Sequence, residues 1–278
     1  MIYELELPWK GIGDQIAVTS FPENLYNITG KKTLIKDSKI WAFKHNPYVL
    51  FETSEETQKL LLLPSAREAY NTQPYIENKS TLIFSSQAEL LLYFVGYNVD
   101  FVKLRHPRLY IYEDIKQEFG KLVVHSEGSD RTKVCEPAIR TGLGEDYLRI
   151  FTDDIIKTIH KNYKDWKIVQ VGGKDDKDIG ASIDLRGKLD YFEIAKEIAS
   201  SQIFIGINSG MMNIANCYPK VHKRIILTEF SEECLGKGKI PFRPLEIRNP
   251  NMHWLDLNNS YFNRFQYDIG STFTYKKI

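Results

Sequence analysis

Three segments of the 278-residue chain carry residue types whose spacing could do chemistry. The first is Gly11-Ile12-Gly13-Asp14-Gln15, which follows an alternating apolar run and precedes a helical pattern. There, backbone amides at a helix start can meet a ligand. It is not a dinucleotide fingerprint, because the third glycine of G-x-G-x-x-G would fall where Ile16 stands. Asp14 has two readings: a helix N-cap, a position that Asp fills well, or a carboxylate able to accept a proton from an incoming hydroxyl.

The second segment runs His125-Ser126-Glu127-Gly128-Ser129-Asp130-Arg131-Thr132-Lys133. Hydroxyls and amides beyond a strand can donate hydrogen bonds to phosphate oxygens, and Lys133 offers a compact positive charge. A solvated polar loop has the same composition. The third segment is Ile203-Phe204-Ile205-Gly206-Ile207-Asn208-Ser209-Gly210-Met211-Met212-Asn213. An apolar strand ends here, Asn208 or Ser209 can cap a helix entering at Gly210, and ligands of open α/β sheets gather at this carboxyl end. Capping alone explains the Asn and Ser but not the two glycines flanking them.

Two further patterns carry less. Asp176-Lys177-Asp178 matches a metal-binding D-x-D, yet it lies in the charged run 174–178 and reads as a solvated loop. The six histidines show no metal-ligand spacing and read as hydrogen-bonded or surface residues. No metal ligand and no cofactor is expected.

The elements that must position these segments alternate as βαβ units of a parallel sheet do. In the first part the pattern predicts strands over 2–7, 33–36, 48–52 and 81–85, with helices over 15–27, 55–62, 87–95 and 110–119. A second alternation predicts strands over 121–125, 167–171, 183–185, 203–207 and 224–227, and helices over 147–163, 191–200 and 210–217. The chain therefore divides into a domain over 1–119 and a domain over 120–278, the last fifty residues losing the pattern. Length agrees, since one domain usually takes about 100 to 200 residues.

Composition excludes several classes. Basic and acidic side chains balance at 37 against 36, so no overall field gathers polyanions and nucleic acid is not an expected partner. Cys135, Cys217 and Cys234 are too scattered for a disulfide framework or a zinc site, which fits a reducing cytoplasm. No apolar run approaches the roughly 20 residues of a membrane span, and the N-terminus has neither the basic start nor the apolar core of a signal peptide. Contact with the inner membrane, if made, is expected at its surface.

Taken together, the segments resemble glycosyltransferase family 9, the ADP-heptose:lipopolysaccharide heptosyltransferases. Gly13-Asp14-Gln15-Ile16 with Pro22 and Leu25 is similar to the family's N-terminal G-D pattern, in which the aspartate is the proposed base. Ser126 and Lys133 match the hydroxyl and lysine that contact donor phosphates. Val169-Gln170-Val171-Gly172-Gly173, Asp184-Leu185-Arg186-Gly187 and Ile205-Gly206-Ile207-Asn208-Ser209-Gly210 follow the order of the family's C-terminal block. The resemblance covers most of 121–228 and the first thirty residues of the other half. The family usually has Asp where Asn208 stands and His where Asn213 stands, and the aspartate is associated with the donor sugar.

The resemblance implies a GT-B fold, with two Rossmann-like domains of mostly parallel sheets facing a central cleft. It implies inverting, metal-independent transfer of a sugar from a nucleotide diphosphate to a bacterial surface glycan or glycolipid. Asp14 and Lys133 are then catalytic, and Gly13, Ser126, Ser129, Gly172, Gly173, Asn208, Ser209, Gly210, Met211 and Asn213 bind the donor. Three other readings stay open: a UDP- or GDP-hexose donor, a nucleotide-sugar hydrolase or epimerase, and a non-catalytic nucleotide-binding module.

Overall fold

The computed structural model describes residues 2–7, 11–37, 40–61, 92, 96–97, 107–111, 113–128, 150–151, 153–207, 209–226 and 254–256. They fall into two compact units that part between residues 112 and 113. Strand and helix expectations over 81–85 and 87–95 lie outside the described residues, Leu92 excepted.

The first unit is built on four parallel strands, β1 Ile2–Glu6, β2 Thr33–Leu34, β3 Val49–Leu50 and β4 Thr57–Leu61, in the order β3-β2-β1-β4. Order reverses between β1 and β4, the place where open α/β sheets leave a crevice beyond their strand ends. Helix α1, Ile12–Ala17, follows β1, and helix α2, Phe21–Thr29, follows α1. The single helix expected over 15–27 is therefore two. Thr19 stands in the turn between them, its Oγ1 donating to Ile16 O at 2.7 Å and accepting from Arg108 N at 2.8 Å. Pro22 lies in the first turn of α2, where a missing N–H costs nothing, and Gly30 closes the helix at φ 71°.

Two helix expectations fail here. Residues 57–61 pair with β1 over five consecutive positions, from Ile2 with Thr57 to Glu6 with Leu61, so tertiary pairing overrides the helix expected over 55–62. The segment expected as a helix over 110–119 is not helical at any described position. Its polar groups go outward instead: Tyr110 Oη donates to Glu23, Glu118 N donates to Ser200 O at 2.7 Å, and Gln117 Nε2 reaches Ser201 O and Lys220 O at 3.1 Å each.

The second unit carries six strands: β5 Lys121–His125, β6 Lys167–Gln170, β7 Ile183–Asp184, β8 Ile203–Ile207, β9 His222–Ile226 and β10 Trp254–Asp256. Their order is β10-β9-β8-β5-β6-β7, parallel throughout except for β10 against β9. This is the doubly wound order, and it reverses between β5 and β8. Leu122 and Val124 of β5 join Ile168, Ile203, Ile205 and Ile207 on one face, packed under Ile155 and Ile159 of helix α3, Asp153–Asn162. The helix pattern expected over 147–163 shortens to this stretch; residues 147–149 lie outside the described residues. Helix α4, Tyr191–Ala199, opens with a reciprocal capping box: Glu193 N donates to Asp190 at 2.8 Å and Asp190 N to Glu193 at 2.7 Å. Helix α5, Gly210–Asn216, packs against β8, β9 and α4. No helix among the described residues is long and apolar enough to cross a membrane.

Candidate functional site

The carboxyl ends of β5, β6 and β8 lie side by side, with His125 of β5 paired to Gly206 of β8 and Val124 to Gln170 of β6. The loops that leave these three ends therefore meet at the switch point of the second sheet. His125, 4% exposed, stands at the centre. Its Nδ1 is 3.1 Å from Ser209 Oγ, on the loop after β8, and its Nε2 is 3.4 Å from Asp176 Oδ2, on the loop after β6.

Asp176 is held twice more. Its Oδ2 accepts from Gly173 N at 2.8 Å, and its carbonyl accepts from Arg186 Nη1 at 2.5 Å. The same guanidinium grips Asp184 through Nε and Nη2 at 2.9 and 2.8 Å and lies 3.0 Å from Asp178. The Arg186 side chain, helped by its own backbone N–H, lowers the Asp184 carboxyl to about 2. The loop over 174–178 is largely exposed, as its charge suggests, but its Asp176-Lys177-Asp178 run is also tied down by specific contacts. Asp176 and Asp178 are spent on Arg186, His125 and backbone amides, and Lys177 N donates to Glu127 Oε2 at 2.8 Å.

Gln170, fully buried, fastens this loop from below. Its Nε2 donates to Lys177 O at 2.7 Å and to Ser126 Oγ at 3.0 Å, while its Oε1 accepts from Ile179 N at 3.1 Å. Ser126 Oγ in turn donates to Lys177 O at 2.6 Å. Ser126 is fully buried, and its hydroxyl serves the loop instead of facing outward to a phosphate as its position suggested. Gly172 is buried at φ 137°, a conformation that favours glycine, and Gly173 beside it is exposed.

Ser209 and Gly210 are half-buried, Met211 and Asn213 buried. Asn213, 5% exposed, has an Oδ1 with no hydrogen-bond partner among the described residues. Gly13 and Asp14 belong to the first unit. Asp14 is the third residue of α1 and Gly11 the N-cap, so the capping role considered for Asp14 does not hold; its side chain is not described. Ser129, Lys133 and Asn208 lie outside the described residues. Among those described, no group of three or more His, Cys, Asp and Glu could hold a metal ion.

His125, Asp176, Gln170 and Arg186 escaped the sequence reading as site residues. The usable signals were a histidine ending an apolar strand and an arginine two places after Asp184.

These two units define an α/β protein of the GT-B glycosyltransferase class of fold. Solved structures share it. The chain matches the iron-containing dodecameric glycosyltransferase TibC from enterotoxigenic E. coli at a TM-score of 0.53 and 14% identity, over 81% of this chain and 59% of that one. TibC, there described as a heptosyltransferase, in complex with ADP-D-β-D-heptose matches at 0.53 and 13%, over 81% and 57%. A family 9 glycosyltransferase from Veillonella parvula matches at 0.46 and 12%, over 83% and 82%. The chain thus spans under two thirds of the length of TibC. No family model matches the chain, and no curated protein matches it.

Proposed function

We propose that the chain is a glycosyltransferase that takes a sugar from a nucleotide diphosphate and binds that donor on its second unit. The observation that carries this is the meeting of the loops after β5, β6 and β8 at the switch point, around His125, Gly172, Asp176 and Ser209. The fold shared with TibC, a heptosyltransferase solved with a nucleotide sugar, supports it.

In the proposed reaction Asp14 takes the proton of the acceptor hydroxyl, and that oxygen attacks the anomeric carbon with inversion. The bond to the nucleotide diphosphate breaks, and the electron pair leaves with the diphosphate. Charge gathering there must be offset in the transition state. Lys133 and the amides from Gly210 onward are the proposed groups. Asp176 and Asp178 already have partners, and neither carries a cation in the proposed reaction. The proposed acceptor is a bacterial surface glycan or glycolipid.

A thermal-shift screen with ADP, UDP and GDP tests the donor site. A ligand at 100-fold its Kd stabilises by about 2.7 kcal/mol, which a melting curve resolves. One nucleotide should raise the melting temperature more than the other two. No shift from any of them would contradict the proposal.

A further inference from the structure

Ser209 sits at the proposed donor site, but what it offers a ligand depends on where its proton goes. A hydroxyl has one proton and two lone pairs, and a neutral imidazole has one N–H and one bare nitrogen. A carboxylate only accepts, so Asp176 at 3.4 Å favours the tautomer with the proton on His125 Nε2. Nδ1 is then bare, and the contact at 3.1 Å can form only if Ser209 Oγ donates. Burial of the ring at 4% exposure keeps water from competing for either nitrogen.

The carboxylate is itself fixed from two sides. Gly173 N–H donates to the same Asp176 oxygen, and Arg186 holds the Asp176 carbonyl. The absence of a side chain at Gly172 leaves the room that this carboxylate occupies, since a Cβ there would come within 2.1 Å of Asp176 Oδ2 and 2.9 Å of His125 Cδ2.

Resting on the nucleotide-sugar reading, we propose that His125 is a positioning residue that makes Ser209 a hydrogen-bond acceptor toward the bound donor. With its proton committed to Nδ1, Ser209 Oγ can receive a ligand hydroxyl but cannot donate to a phosphate oxygen. The group it selects is a hydroxyl of the nucleotide sugar, on the ribose or on the transferred sugar, and the diphosphate is left to Lys133 and backbone amides. This reassigns Ser209 from phosphate binding to hydroxyl recognition.

The test has two parts on the full chain. Ring-nitrogen NMR of ¹⁵N-histidine-labelled protein at pH 8, with His125 assigned through His125→Gln, reads the tautomer without any ligand. The expected result is the neutral Nε2–H form, moving toward a tautomer mixture in Asp176→Asn, which keeps an acceptor for Gly173 N–H but loses the charge. An Nδ1–H form in the wild type, or an unchanged tautomer in a folded Asp176→Asn, would overturn the proposal.

Calorimetry then compares ADP-glucose, ADP and inorganic pyrophosphate on wild type and Ser209→Ala. Losing one neutral hydrogen bond should weaken binding about two- to tenfold for the probe carrying the recognised hydroxyl. A loss with ADP places that hydroxyl on the ribose; a loss with ADP-glucose alone places it on the sugar; pyrophosphate should be unaffected. An equal loss with pyrophosphate would overturn the proposal, because Ser209 would then be donating to phosphate. Failure of all three probes to bind would contradict the donor site itself, and the tautomer would still decide the role of His125.

Discussion

Gly172 and Asp176 are fitted to one another: the Oδ2 of Asp176 lies 2.1 Å from where a Cβ on Gly172 would stand, and the glycine holds φ 137°. A side chain at 172 would meet both a backbone penalty and a displaced carboxylate. Once displaced, that carboxylate would give up Gly173 N–H and His125.

Gly172→Ala should therefore destabilise the protein by about 1 to 3 kcal/mol. In an Asp176→Ala background the same change should cost less, because the closest clash is gone and only the backbone part and the 2.9 Å approach to His125 Cδ2 remain. Denaturant unfolding of the four proteins measures this coupling. Additive effects would show that the two residues do not contend for that space.

The Asp184–Arg186 pair makes a prediction about pH. The Asp184 carboxyl is lowered to about 2 by Arg186, against an ordinary value near 3.8. A depressed carboxyl contributes stability above its unfolded value and loses it as pH falls toward the folded one. Asp184→Asn should be less stable than wild type at neutral pH, with the difference shrinking between about pH 4 and pH 2. Urea unfolding at several pH values measures it, and a difference constant across that window would mean that the carboxylate charge is not what holds Arg186.

Lys133→Ala should weaken nucleotide binding about ten- to a hundredfold, the usual worth of a charge-assisted contact to phosphate. Titration calorimetry reads this directly. EDTA should leave turnover nearly unchanged; strong inhibition reversed by Mn²⁺ would return Asp176 and Asp178 to a metal site.

Much of the second unit was legible because its central strands β5 and β8 are buried on both faces and read as largely apolar runs. Lys121–His125 and Ile203–Ile207 match their expected bounds, and the strand before Gly172-Gly173 ends one residue early. Tyr191–Ala199 was equally plain, with its start set locally by Asp190 and Glu193. The failures lie where distant partners decide. Nothing within residues 57–61 announces a five-residue pairing with β1, and nothing within 110–119 announces Ser200 and Lys220 as partners. The site follows the same rule. Its three segments were visible as compositions, but the link from Ser209 to His125 joins residues 84 positions apart.

Asp14 lies in the first turn of α1 and not at its cap. A carboxylate there is worth about 0.3 to 1 kcal/mol to the helix, so Asp14→Asn should leave the fold intact. General-base catalysis supplies about a factor of 10² to 10⁴, and turnover should fall by at least about a hundredfold. Both quantities belong on one preparation. Full turnover in a stable Asp14→Asn protein would remove Asp14 as the base.

A nucleotide diphosphate bound on the second unit at the ends of β5 and β8 would be seen in a crystal structure of the chain soaked with ADP. Nucleotide density is expected beside Ser209 and the 172–173 turn, with Asp176 still against His125. Nucleotide seated on the first unit, or on the second unit away from that sheet edge, would contradict it.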